Sequence, residues 1–275
     1  MSRSRFRAAW LALVGVLVLL GPARADHYTI GVVPQFDARR IADTWLPITR
    51  YLSEATGHEF VLRGAPTIPH FERELRNGDY DFAFMNPYHL VQTIGTSDYR
   101  PLVRDGNRAL YGVLVTARDS RFDTLDSLEG AIIAFPAPNA LGASLLMRAV
   151  LARQYGLSFE ERYVQTHDSA YLNVALGETA AAGGVKSTFD SQPAELRNRL
   201  QIIFETPRVA PHPFAVHPRV PETMAAKVRD ALIALGSTEE GRALLAGVPI
   251  QQPVPAEASD YAPIAELGLE EFAVE

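Results

Sequence analysis

Short apolar runs alternate with longer amphipathic runs along most of the chain, and this alternation restricts the possible folds more than any other feature. Residues 28–33 are apolar and typical of a buried strand, whereas 38–56 carry apolar residues at helical spacing. A strand-like run at 80–85 continues the order, which restarts with another at 131–135. Alternating strands and helices predict an α/β fold of mostly parallel sheets flanked by helices.

Two segments divide this pattern into two lobes. A long strand near 109–117 joins the first run of elements to the second, and a proline-rich segment at 205–218 leads back. We therefore expect two hinge crossings, with lobe I formed by residues 26–112 and 206–275 and lobe II by residues 113–205. Ligands of open α/β sheets bind beyond the carboxyl ends of the strands. The residues that follow each strand are the candidates for a binding site.

The first 25 residues have the three parts of a secretory signal. Three arginines lie among the first seven residues, and the 13 residues at 8–20 carry no charge. Such a run is too short to cross a hydrocarbon core of about 30 Å as a helix. Ala23-Arg24-Ala25 then supplies the small residues that a signal peptidase needs. We predict cleavage after Ala25 and a periplasmic protein, the alternative being an uncleaved membrane anchor.

Charge and cysteine content exclude several function classes. The full chain has 26 basic and 32 acidic residues, and loss of the four arginines in residues 1–25 changes the net charge from −6 to −10. This balance disfavours nucleic acid as a partner, because its binding needs clustered Lys and Arg. The absence of cysteine excludes thiol catalysis, Cys-ligated zinc, disulfides and lipid attachment through cysteine. We expect no catalytic residue, no metal and no cofactor.

Three segments resemble a known family. They are VVPQFDARR at 32–40, DFAFMNPYHL at 81–90 and THDSAYLNVALGETAAAGGVKSTFD at 166–190. These resemble the periplasmic phosphate/phosphite/phosphonate-binding proteins of ABC transporters. The resemblance implies a type II periplasmic-binding-protein clamshell that closes on a small-molecule ligand. It also implies delivery of that ligand to an inner-membrane partner, either a permease with its ATPase or a receptor, and we expect a monomer.

In that family the phosphoryl oxygens sit on a Ser-Thr-Ser turn that opens a helix in the second lobe. The matching segment here runs from 136 to 144, where Asn139 is a good N-cap but Ala140 and Leu141 replace the hydroxyls. Backbone N–H groups at the start of a helix can still hold an anion. The loss of the side-chain donors leaves room for a weaker, larger or partly apolar ligand.

Further candidate residues follow from the same resemblance. His167 matches a family position that contacts the oxyanion, although with Asp168 it could simply cap the following helix. Tyr88 resembles an aromatic residue that lines the cleft, and Lys186 could supply positive charge or be an ordinary loop lysine. The full set of predicted ligand-binding residues is Phe36, Tyr88, Asn139, Ala140, Leu141, His167, Asp168, Lys186, Ser187, Thr188 and Asp190.

Two other hypotheses keep the clamshell and change its role. Phe36, the apolar residues at 140–141 and the small-residue strand at 180–184 are compatible with a lipid or sterol-like ligand carried across the periplasm. A protein of this kind could also present its closed form to a sensor. The pair Gly183-Gly184 lacks the Gly-Lys-Ser/Thr of a phosphate loop. It instead predicts close approach of the backbone to a ligand or to a neighbouring strand.

Overall fold

The computed structural model describes residues 27–274, so the predicted signal peptide and its cleavage site lie outside the described residues. The strands are β1 (His27–Val32), β2 (Glu59–Arg63), β3 (Phe82–Phe84), β4 (Arg100–Asp105), β5 (Gly112–Ala117), β6 (Ile132–Phe135), β7 (Glu160–Tyr163), β8 (Ala181–Val185), β9 (Leu200–Glu205), β10 (Phe214–Val216) and β11 (Pro253–Pro255). The helices are α1 (Ala38–Thr56), α2 (Ile68–Arg76), α3 (Pro87–Gln92), α4 (Leu146–Tyr155), α5 (His167–Ala175), α6 (Lys186–Asp190), α7 (Ala194–Arg199), α8 (Glu222–Leu235), α9 (Glu239–Leu245) and α10 (Ala262–Ala265).

The strands form two sheets, and the chain crosses twice between them. The first sheet has the order β11-β4-β10-β3-β1-β2 and the second the order β7-β6-β8-β5-β9. Strands β1 to β4 are in the first sheet, β5 to β9 in the second, and β10 and β11 in the first again. The two-lobed α/β fold with two crossings is confirmed, while the limits predicted for each lobe stay a prediction.

Both sheets are mixed, whereas the sequence pattern predicted mostly parallel ones. β1 is parallel to β2 and β3, and β6 is parallel to β7 and β8. The strands that follow a crossing run the other way: β5 is antiparallel to β8 and β9, and β10 is antiparallel to β3 and β4. A strand that enters from the opposite lobe meets its new sheet from the other end. These strands are therefore antiparallel to their neighbours, and the sheets are mixed.

Two strands, β10 and β11, lie in parts of the chain that are rich in proline. β10 lies between Pro213 and Pro218 but contains no proline itself, so each of its residues can donate to a sheet ladder. β11 has proline at both ends and occupies the edge of the first sheet, where a missing N–H can face away from the ladder. The segment that contains β10 was expected to be a connection, because proline normally argues against a strand.

Helix α1 has the limits expected from the sequence and presents the first cleft-facing residues. The Asp37 carboxylate accepts a hydrogen bond from the Arg40 N–H at 3.0 Å and so caps the first turn. Gly57 ends the helix in the left-handed conformation, with φ of 76°. Ile48 and Leu52 are completely buried on the inner face. No helix among residues 27–274 combines the length and apolar character that a bilayer crossing requires.

The apolar core continues from the first lobe into the second. Ala137, Leu141 and Leu145, which follow β6, belong to the same buried cluster as Ile30 of β1. A π-helical turn, Leu141–Leu145, connects them to α4. The two lobes therefore share one cluster of closely packed apolar side chains.

Candidate functional site

A cleft of about 700 Å³ lies between the lobes beside the crossings. It is lined by residues from the start of α1, from α6, from both crossing segments and from the loop after α9. This volume is in the range of small-molecule sites. Five of the residues expected to bind ligand line it: Phe36, Lys186, Ser187, Thr188 and Asp190.

Helix α6 begins directly after β8 and carries four of these five residues. Lys186 Nζ lies 2.5 Å and 2.6 Å from the two carboxylate oxygens of Asp190, one helical turn further on. The Thr188 hydroxyl is buried and already bonded, 2.9 Å from the Val185 carbonyl and 2.8 Å from the Tyr171 hydroxyl. Lys186 is therefore the residue of α6 best suited to bind an anion, because its side chain is positively charged.

Three arginines join Lys186 around the cleft, and sequence reasoning missed all of them. Arg40, Arg108 and Arg208 line it together with a single carboxylate, that of Asp190. The full chain is acidic, so this concentration of positive charge is local. Arg108 and Arg208 flank the two predicted crossings, and their closeness to the hinge is the signal that could have identified them. Their convergence makes the cleft suited to an anion.

A buried carboxylate positions one of these arginines. Asp105 is completely buried at the end of β4 and accepts the N–H groups of Asn107 at 2.8 Å and Arg108 at 2.9 Å. Its other oxygen accepts the N–H groups of Gln251 at 2.6 Å and Gln252 at 3.2 Å. Asp105 thereby holds together two loops that both contribute to the cleft.

A second, much smaller pocket lies deeper between the lobes. Ala140, Leu141 and His167 line it with His212, and its volume is about 10 Å³. A cavity of this size has room for at most one water molecule. The segment that matches the family's anion-binding turn is therefore packed against lobe I, and its apolar side chains do not line a large cavity.

Asn139 contacts the end of the chain. Its side-chain N–H donates to the Val274 carbonyl at 2.7 Å, and its Oδ1 accepts the Val274 N–H at 2.9 Å. The same amide donates to Glu72 Oε2 at 3.2 Å. Residues 266–274, which we call the C-terminal tail, thus reach a residue expected to bind ligand. Nothing in the sequence pattern links positions so far apart.

The last two candidates lie outside both pockets. Tyr88 is buried, and burial together with the nearby carboxylates of Glu270 and Glu72 raises the pKa of its phenol. Its neighbours are thus the C-terminal tail and α2. Asp168 lies 3.7 Å from the Arg40 guanidinium across the lobe interface and accepts a hydrogen bond from Gln192 at 2.6 Å. The ligand-binding roles of these residues stay predictions.

Two buried histidines, His167 and His212, have strongly lowered pKa values. Burial lowers the pKa of His167 to about 3, and burial with the neighbouring His89 and His167 lowers that of His212 to about 3. His167 Nδ1 lies 3.1 Å from the Thr188 hydroxyl, and the backbone N–H of His167 donates to the Gln35 carbonyl across the interface at 3.3 Å. His167 can offer an oxyanion a hydrogen bond from a neutral ring but no positive charge.

These histidines should make the fold sensitive to acid. In the unfolded chain both pKa values return to about 6.5, so the unfolded state binds more protons as the pH falls below that value. We expect the free energy of unfolding to fall by about 1.4 kcal/mol per histidine for each pH unit between pH 6 and 5. Urea unfolding at several pH values measures this slope. His212→Gln should reduce it and His70→Gln, which changes a partly exposed ring, should not; equal slopes would contradict the prediction.

In residues 27–274, no group of three or more His, Asp and Glu side chains is arranged to hold a metal ion. The chemistry available at the cleft is the binding of an anion by guanidinium and ammonium groups. The positive groups have neighbouring carboxylates that balance them in part: Asp168 for Arg40, Asp190 for Lys186 and Glu205 for Arg208.

Comparison with solved structures identifies proteins of the same fold. The binding-protein component of an ABC phosphonate transporter from Pseudomonas aeruginosa matches with a TM-score of 0.79 and 16% identity, over 88% of this chain and 85% of that one. PhnD1 from Prochlorococcus marinus, in complex with methylphosphonate, matches with a TM-score of 0.80 and 16% identity, over 90% of this chain and 99% of that one. A Xanthomonas citri protein bound to ATP matches with a TM-score of 0.72 and 15% identity, over 90% of this chain and 98% of that one.

The family comparison covers most of the chain. The family model described as the periplasmic substrate-binding protein of phosphonate ABC transporters matches residues 30–261. This span includes both lobes, both crossings and every residue of the cleft lining. The resemblance seen in the sequence is thereby confirmed. The chain belongs to the family of periplasmic substrate-binding proteins of phosphonate ABC transporters, which bind and deliver a ligand and are not enzymes.

Proposed function

We propose that this protein captures a phosphorus oxyanion in the cleft beside the crossings and delivers it, as a monomer, to an inner-membrane permease and its ATPase. The observation that carries the proposal is the convergence of Arg40, Arg108, Lys186 and Arg208 around one cleft of an acidic protein. An anion bound there would contact both lobes and thus favour their closed arrangement.

The relatives of known structure support an anionic ligand. PhnD1 of Prochlorococcus marinus holds methylphosphonate, and the Xanthomonas citri protein holds ATP. Both molecules carry phosphorus oxyanions. An apolar ligand has less support. Ala140 and Leu141, two of the residues that motivated that hypothesis, line a pocket of about 10 Å³, and Phe36, a third, lies in the large cleft with the Arg40 guanidinium over its ring. An export signal at residues 1–25, cleaved after Ala25, is part of the proposal, since it would bring the chain to the periplasm.

Titration calorimetry of the purified protein with inorganic phosphate, methylphosphonate and phenylphosphonate tests the proposal. We expect at least one of these to bind, with an affinity that weakens as salt rises because the contacts are exposed charges. The double variant Arg108→Gln/Lys186→Gln removes two of the four positive charges and should raise Kd at least tenfold.

Lys227→Gln is the matched control, because Lys227 is an exposed lysine on α8 that does not line the cleft. Its Kd should equal that of the unmodified protein. If no phosphorus oxyanion binds, or if the control and the double variant lose affinity equally, the proposal is wrong.

A further inference from the structure

The cleft and the inner pocket differ in what they can hold. The inner pocket, at about 10 Å³, is closed by Ala140 and Leu141, which are 6% and 1% exposed and offer no side-chain donor. The cleft is about 700 Å³ and contains all four positive side chains. A phosphonate with one methyl group would leave most of that space to water. The volume therefore fits an anion with a substantial organic part.

Two of the four positive groups lie over aromatic rings. The Arg40 guanidinium carbon is 3.7 Å from the centre of the Phe36 ring, and that of Arg208 is 4.3 Å from the centre of the Tyr111 ring. All four residues line the cleft. A ring beneath a guanidinium restrains its position. Because the guanidinium is planar, its opposite face can stack on a second ring.

The other two positive groups, those of Arg108 and Lys186, can bind an anion through their N–H groups. Arg108 donates to the side-chain oxygen of Gln251 at 2.7 Å, which is a neutral acceptor. Lys186 is paired with Asp190 on its own helix. A ligand oxyanion would compete with one exposed carboxylate at Lys186 and displace only an amide oxygen at Arg108. These two residues are therefore the ones best placed to bind the charged group.

We infer, on the basis of the proposed function, that the ligand is a phosphorus oxyanion joined to a planar ring. The oxyanion lies at Arg108 and Lys186, and the ring stacks on the guanidinium of Arg208 or Arg40. Arylphosphonates and nucleoside monophosphates both have this chemistry. Phenylphosphonate and AMP are the probes that separate the two, with methylphosphonate as the oxyanion without a ring and adenosine as the ring without an oxyanion.

Calorimetry at constant ionic strength tests the inference. Phenylphosphonate, AMP or both should bind at least tenfold more tightly than methylphosphonate, and adenosine should bind more weakly than AMP. The arm that binds more tightly identifies which source of the shared chemistry the cleft prefers. If methylphosphonate binds as tightly as both ring-bearing probes, the inference is overturned while the proposed function stands. If no phosphorus oxyanion binds, both are wrong.

Arg208→Lys tests the stacking separately from the charge. Lysine keeps the positive charge but lacks the flat guanidinium, so we expect a loss of about tenfold for the ring-bearing probe and little change for methylphosphonate. Arg208→Lys and Arg40→Lys together cover both stacking positions. Arg121→Lys is the control, because Arg121 lies 4.8 Å from the centre of the Phe122 ring but does not line the cleft. An equal loss for both kinds of probe would assign the arginines to charge alone and overturn the stacking.

Discussion

Replacing Gly183 with alanine is expected to lower the free energy of unfolding by about 3 kcal/mol or more, because the new methyl group has no space. A Cβ at this position would lie 2.1 Å from the Ala143 carbonyl oxygen and 2.6 Å from the Phe135 ring. Phe135 and Ala143 are completely buried. The carbonyl belongs to the π-helical turn, so relief would require β8 and that turn to separate.

Chemical denaturation with urea measures this change. Gly64→Ala is the matched control, since a Cβ at Gly64 meets no atom within 4 Å and its backbone has no positive φ. We expect that variant to stay within about 0.5 kcal/mol of the unmodified protein. If Gly183→Ala is equally stable, the close approach of β8 to the turn is not required by the fold.

The same close approach shows what the sequence could and could not reveal about the fold. The pair Gly183-Gly184 predicted a backbone that comes near a ligand or a neighbouring strand, whereas the closest backbone at Gly183 belongs to the π-helical turn at 141–145. Helix α1 was predictable to the residue because its cap, its apolar spacing and its final glycine agree. β10 was not, because its three residues become a strand only through pairing with β3 and β4.

The candidate site likewise contains residues that could be predicted from the sequence and residues that could not. The α6 residues at the cleft were predictable because they follow a strand, and strand ends are where ligands of such sheets bind. The sequence shows that Arg108 is close to the hinge, but its place in the cleft lining depends on Asp105, which holds its loop next to the loop of Gln251. The contact of Asn139 with Val274 joins residues 135 apart in the chain. Local sequence patterns contain no information on a contact of that kind.

The packing accounts for Ala140 and Leu141 at positions where the family resemblance implies hydroxyl residues. In the buried cluster that unites the lobes, these residues add apolar contact area where a hydroxyl-lined turn would need a polar partner. This apolar contact area stabilises the interface. Under the proposed function, ligand binding depends on the charged cleft, and we expect the apolar interface and the C-terminal tail to hold the lobes together.

The C-terminal tail starts on lobe I and ends on the segment between β6 and β7. α10, just before it, packs against α3, and Leu269 is buried in the cluster shared by both lobes. Arg148, itself 5% exposed, donates to the Phe272 carbonyl at 2.6 Å. Arg153 donates to the Leu267 carbonyl at 2.9 Å and binds Glu271. The tail therefore connects the lobes independently of the two crossings.

Removing residues 266–275 should lower the free energy of unfolding by about 3 kcal/mol or more. Burial of Leu269 contributes about 2 kcal/mol, and the hydrogen bonds of Asn139 and Arg148 contribute about 1 kcal/mol each. The lobes should also separate more readily, which small-angle X-ray scattering would detect as a larger radius of gyration.

A shorter truncation separates these contributions and closes the test. Removing only residues 273–275 eliminates the Asn139 contact but leaves Leu269 and the Phe272 carbonyl in place, so the loss should be about 1 kcal/mol with an unchanged radius of gyration. Arg153→Gln alters an exposed ion pair and should cost less than about 1 kcal/mol. If the longer truncation leaves both stability and radius of gyration as they are, the tail does not hold the lobes together. The crossings and the apolar interface would then maintain the closed arrangement by themselves.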